Sequence, residues 1–271
     1  MNDRTSGAFR AELMKLRRPK MLAGFYGAMV GFSVLATTLA FLVAKDRPQV
    51  FNGDRPGAVG FSLADLTGSA GATRGFVLGA GFVGVIVLVM FAVSIASEHS
   101  YGTLRTLALF EPRRLRLLAG KIAALVVFVA IGYALAEVAG ILTAYIAAGI
   151  KGVPVHAWTT GAGLQSTASA FGDAVLSGIG WGLLGMMAAI ALRTLPITLA
   201  VMLAWVFPFE NIMFRSWAAA DRWFPGLLLQ GVGSGSGGSG GWTRAVLMTA
   251  LYAGLFLAAS SLIFRRRDIT A

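Results

Sequence analysis

A single acid, Glu137, interrupts an otherwise charge-free apolar run from Ile122 to Ile150, with Tyr133 four residues before it and Tyr145 eight residues after it. An ionised carboxylate facing lipid at that depth costs several kcal/mol, so Glu137 is expected to face the protein interior or an aqueous cavity, or to carry a proton. Together with Tyr133 it is a candidate contact for a substrate or a proton. A packing hydrogen bond to another span accounts for the same residues equally well. Other reactive groups are sparse. The chain has no cysteine and two histidines, His99 and His156, without HExxH spacing, which removes thiol nucleophiles, disulfides and zinc-protease chemistry. Gly120-Lys121 lacks the earlier glycine of a phosphate-binding loop. The sequence therefore predicts no catalytic residue, no metal site and no cofactor on this chain.

The elements that must position Glu137 follow from composition. Apolar residues make up 56% of the 271 positions and charged residues 13%, with a mean hydropathy of +0.74. Soluble domains carry about 25% charged residues, so the deficit points to lipid as solvent. The net charge of +11 comes from Lys and Arg clustered at the ends of apolar runs, the pattern of the positive-inside rule and of lipid headgroup contacts rather than of nucleic-acid binding.

Six apolar runs are expected to span the membrane, at about 21–44, 75–96, 122–150, 174–192, 195–209 and 245–264. The first is longer than a signal-peptide core and is expected to be retained. Arg193-Thr194 is the whole joint between the fourth and fifth, which makes them a hairpin. Asp173 is placed as the cap of the fourth. Residues 210–244 mix Trp217, Trp223, Phe224 and Pro225 with charges and end in the Gly/Ser run 231–241; short re-entrant or interfacial helices followed by flexible coil are expected. Gly178, Gly180, Gly182 and Gly185 suit close helix packing. Gly24, Gly27, Gly31, Gly75, Gly79, Gly81 and Gly84 suit either a seam between protomers or packing within one subunit.

Residues 1–20 hold six Lys/Arg, with Phe9, Leu13 and Leu16 on one helical face, which reads as a helix lying in the interface. With this end inside, 15 of the 23 Lys/Arg fall on the cytoplasmic side, placing both termini and the segment 97–121 in the cytoplasm. That segment carries seven formal charges between two apolar spans. Leu104, Leu107 and Ala108 share one helical face, and Pro112 ends the helix. Glu98, at the exit of the second span, is in a position to pair with Arg10, Arg17 or Arg105, or to be a water-facing charge.

Glu98, then Gly102-Thr103-Leu104-Arg105, then Glu111-Pro112 before a basic cluster and Gly120-Lys121, resembles the first cytoplasmic loop of type-2 ABC transporter permeases. The local likeness covers about 25 residues, and the six-span layout extends it. It implies an all-α integral membrane protein of one transmembrane domain, with an N-terminal elbow helix, a cytoplasmic coupling helix and short external re-entrant helices. It implies that Glu98, Gly102, Thr103, Leu104, Arg105, Leu107 and Glu111 meet a separate ATP-binding subunit, and that Arg10 and Arg17 are elbow-helix contacts. ATP and Mg would sit on that partner, not on this chain. The resemblance further implies a second permease copy, a bacterial cytoplasmic membrane and export of an amphipathic substrate such as a drug, a peptide antibiotic or a lipid. A membrane sensor or assembly subunit that recruits an ATPase remains open as an alternative, and so, less favourably, does an intramembrane lipid-modifying enzyme.

Overall fold

Long charge-free stretches satisfy their backbone in lipid within one segment only as helices, and the fold is built from them. The computed structural model describes residues 3–44, 49–50, 60–100, 114–192 and 194–266. Within these, α1 (Asp3–Leu16) precedes α2 (Pro19–Val43), where Pro19 occupies the first turn, a position that needs no N–H donor. A two-residue antiparallel pair, β1 (Gln49–Val50) with β2 (Gly60–Phe61), leads to α3 (Leu63–Thr67). The N-terminus of α3 is closed by a reciprocal box between Ser62 and Asp65.

Three long helices follow: α4 (Arg74–Ser100), α5 (Arg114–Lys151) and α6 (Gly161–Leu192). The chain then forms α7 (Leu195–Ala204), a π-helical segment Trp205–Phe209 containing Pro208, and α8 (Glu210–Ser216). A short 3₁₀ turn, Ala218–Arg222, leads to α9 (Pro225–Gly233), and α10 (Trp242–Arg266) completes the described chain. Among the described residues, six helices are long and apolar enough to cross a membrane: Pro19–Val43, Gly71–Ser97, Leu117–Lys151, Gly161–Leu192, Leu195–Ser216 and Trp242–Ile263.

These bounds differ from the sequence-based spans in two instructive places. The fifth is continuous to Ser216 rather than ending at 209, because the π segment absorbs Pro208 without breaking the helix. The fourth starts at Gly161, so Asp173 lies three turns inside α6 and is not its cap; its carboxylate instead accepts a hydrogen bond from Trp242 Nε1 at 2.9 Å.

The most extensive helix pairings are α4 with α6, α2 with α5, and α2 with α4. Glycines on α6 make the first possible. Phe91 and Leu88 of α4 press on Gly182 and Gly185, and Leu229 of α9 presses on Gly180. The α2–α5 seam is aromatic and polar by turns. Tyr26 stacks on Phe128 with ring centroids 4.6 Å apart and donates to its carbonyl at 3.2 Å, and Ser33 Oγ donates to Ala136 O at 2.7 Å. One apolar cluster runs from Leu16 through Phe25, Phe76, Phe91 and Tyr133 to Trp181 and Phe256. Leu35, Leu39 and Leu42 of α2, Leu135, Leu142 and Ile146 of α5, and Leu247, Leu251 and Leu255 of α10 stay exposed. In a bilayer these are the faces that meet acyl chains.

Candidate functional site

The charged segment that the sequence singles out starts from the end of α4 and returns at the start of α5. Residues 101–113 lie outside the described residues, so Gly102, Thr103, Leu104, Arg105, Leu107 and Glu111 receive no structural account. Glu98 belongs to the last turns of α4, but its side chain is likewise outside the description. What the structure defines is the base on which this segment stands.

That base is a buried ion pair. Glu12 of α1 and Lys121 of α5 meet with Lys121 Nζ donating to Glu12 Oε1 at 2.6 Å. Ser94 of α4 donates its hydroxyl to the same oxygen at 2.9 Å, and Lys121 Nζ also donates to Ser94 Oγ at 2.8 Å. Lys15, one turn along α1, reaches Glu12 Oε2 at 3.2 Å from a more exposed position. Glu12 and Lys121 are 5% and 7% exposed, so the charges hold each other in a place where either alone would be costly. Burial pushes the Glu12 carboxyl up, but the Lys121 charge and hydrogen bond, helped by Lys15 and Ser94, outweigh it and hold Glu12 below the usual carboxylate range.

Three chain segments are thereby tied at one point. Leu16, one turn beyond Glu12 on the same face of α1, is buried, and Leu118 packs into the same core from α5. Arg10 and Arg17, expected as elbow contacts, are exposed. Among the described residues, the polar contacts that tie α1 to α4 and α5 run through Glu12. Glu12 was concealed in the sequence by its basic surroundings; the available signal was its i, i+4 relation to Leu16, which puts an acid on the apolar face.

The second expected group is deep in the bundle. Tyr133 is fully buried and Glu137 is 7% exposed. Tyr133 and Phe76 of α4 are edge to face, with centroids 6.4 Å apart. A Cβ placed on Gly178 of α6 would lie 2.7 Å from the Tyr133 hydroxyl, so α6 approaches closely at this level. Tyr133 and Glu137 occupy adjacent turns of α5, as their spacing requires, while Tyr145 turns to an edge contact with Trp158, 5.0 Å between centroids.

At the end of the bundle away from Lys121, acids act as braces. Glu210 is fully buried and accepts from Trp205 Nε1 at 2.7 Å and from the backbone N–H groups of Gly226 and Leu227 at 3.2 and 2.8 Å. It thus closes the N-terminus of α9 from a neighbouring helix. Asp221 accepts from Ser239 N at 2.5 Å and Ser239 Oγ at 2.7 Å. The Gly/Ser run is therefore a hydrogen-bonded turn with left-handed glycines at 235, 237, 238 and 241, in place of the flexible coil expected from its composition.

Among the described residues, six helices of this length and apolarity mark a multi-pass helical membrane protein. No known protein-family model matches the chain, and comparison with curated proteins likewise finds no match.

Proposed function

We propose that the chain is the membrane-spanning permease subunit of an ATP-driven exporter of the type-2 ABC kind, working with a separate ATP-binding subunit and a second permease copy. The observation that carries this reading is a charged segment, 97–121, inserted between two apolar spans, whose return point is fixed to α1 and α4 through Lys121, Glu12 and Ser94. A loop meant to receive force needs an anchored base, since a mobile one would dissipate the displacement.

In this reading the ATP-binding subunit presses on Thr103 to Phe110, with Glu98, Arg105 and Glu111 among its contacts. Lys121 passes the displacement to α5 and, through Glu12, to α1. The spans then exchange inward- and outward-facing arrangements, biased by the nucleotide state of the partner. Tyr133 and Glu137 lie along the path of an amphipathic cargo. Both termini are cytoplasmic, in a bacterial cytoplasmic membrane, and this chain performs no ATP chemistry of its own.

The test is reconstitution in liposomes with a candidate ATP-binding subunit, comparing wild type with Arg105→Ala and Glu98→Ala. The reading expects weaker association and lower ATP turnover in both variants. Unchanged association and turnover would oppose it.

A further inference from the structure

Several buried side-chain atoms near the middle of the bundle have no hydrogen-bond partner among the described residues. Three of them are Tyr133 OH and Glu137 Oε1, on adjacent turns of α5, and Thr37 Oγ1 of α2, beside Gly140 one turn further along α5. Thr37 and Tyr133 are fully buried and Glu137 nearly so. Buried polar atoms without partners are uncommon, and each costs free energy unless something satisfies it.

Thr37 faces the stretch of α5 that carries Tyr133 and Glu137. A Cβ on Gly140, one turn beyond Glu137, would lie 2.6 Å from Ser33 Oγ, 3.4 Å from Thr37 Oγ1 and 3.3 Å from Phe76 Cβ. Phe76 also packs edge-on against Tyr133, one turn before Glu137. Helices α2 and α4 therefore both face the turns of α5 that flank the acid, and α6 faces Tyr133 through Gly178. Ile131, Leu135, Val138 and Leu142 of α5 are exposed on the other side. The acid belongs to the bundle, not to the lipid face.

The chemistry of this set selects a class of ligand. A carboxylate and two hydroxyls offer lone pairs to an N–H donor. We propose that Thr37, Tyr133 and Glu137 form an intramembrane site for an ammonium group, with Glu137 as its counter-charge. The proposal rests on the exporter reading for its role: the ammonium is the head of a cationic amphiphilic cargo. The acid supplies the charge-assisted hydrogen bond, which is the strongest contact available there.

The full chain in nanodiscs can be tested by equilibrium binding of decylammonium, with decanol as the uncharged counterpart and methylammonium as the free small cation. Wild type is expected to bind decylammonium well above decanol. Glu137→Gln is expected to weaken that binding by about tenfold or more, as loss of a charge-assisted hydrogen bond implies. Tyr133→Phe and Thr37→Val are expected to give smaller losses while leaving thermal melting close to wild type, which keeps the test valid if the Gln variant folds poorly. Equal binding of decylammonium and decanol, or equal binding by wild type and Glu137→Gln, would overturn the site. Binding of methylammonium without decylammonium would overturn the cargo-head assignment, and displacement by sodium at matched concentration would overturn the choice of ammonium. Because the measurement uses this chain alone, failure to recruit an ATP-binding subunit leaves its result intact.

Discussion

Lys121 Nζ lies 2.6 Å from Glu12 Oε1, joining the N-terminal helix to the base of the helix that carries Glu137. Ser94 completes the contact from α4. The pair is 109 residues apart in sequence, so its formation requires α1, α4 and α5 to be in place together. It also fixes the point where residues 101–113 rejoin the bundle.

Removing both partners of this pair should cost less than the two single removals added together. Glu12→Gln removes the acid that Lys121 is buried against, and Lys121→Met leaves Glu12 with the more exposed Lys15; breaking a buried pair from one side costs about 3–5 kcal/mol, whereas the double variant loses less than the sum. Unfolding in graded denaturing detergent, carried out as a double-variant cycle, measures the coupling. Additive losses would mean that the two charges do not depend on each other.

Acid should release α1. Glu12 is held below its ordinary range, so its contribution is complete at pH above the carboxylate's unfolded value and is lost as pH falls through the lowered folded value. Amide exchange over Asp3–Leu16 is expected to stay slow at neutral pH and to accelerate in acid, and Glu12→Gln should remove that pH dependence.

Glu210→Ala should loosen α9 selectively. The carboxylate satisfies two backbone N–H groups at the helix start, and loss of such a cap costs about 1–2 kcal/mol. Faster exchange at Gly226 and Leu227, with the α2–α5 seam unchanged, is the expected pattern. Exchange spread evenly over the bundle would indicate that Glu210 is not a local brace.

Two glycines should respond in opposite ways. Gly178→Ala drives a methyl into Tyr133 and is expected to destabilise by about 1–3 kcal/mol. Gly24→Ala meets nothing within 4 Å in this chain and should be neutral or stabilising by about 0.5–1 kcal/mol through helix propensity. Detergent unfolding of the two variants separates the cases.

The span count and the burial of Glu137 were legible because lipid imposes one simple rule on every run: apolar length without charge. Boundaries were less legible. Pro208 and Glu210 look like the end of a span, yet a π segment carries the helix past the first and hydrogen bonds from Trp205, Gly226 and Leu227 neutralise the second. The Gly/Ser run reads as coil because composition reports conformational freedom but not the distant Asp221 that removes it. Glu12 was missed for a similar reason. Its partners Ser94 and Lys121 are far away in sequence, and the arginines beside it are exposed. Among the seven glycines that left a seam between protomers or packing within one subunit open, two groups separate: a Cβ on Gly75, Gly79 or Gly84 would meet a neighbouring helix, while one on Gly24, Gly27, Gly31 or Gly81 meets nothing within 4 Å among the described residues.

The central claim, that the segment between the second and third spans is gripped by a separate ATP-binding subunit, is most directly tested by single-cysteine labelling. The chain has no cysteine of its own, so Arg105→Cys is a unique target for a membrane-impermeant maleimide in inside-out vesicles. The account predicts ready labelling from the cytoplasmic face and strong protection when the ATP-binding subunit is present. Labelling from the outer face of intact cells, or a rate that the subunit leaves unchanged, would contradict it.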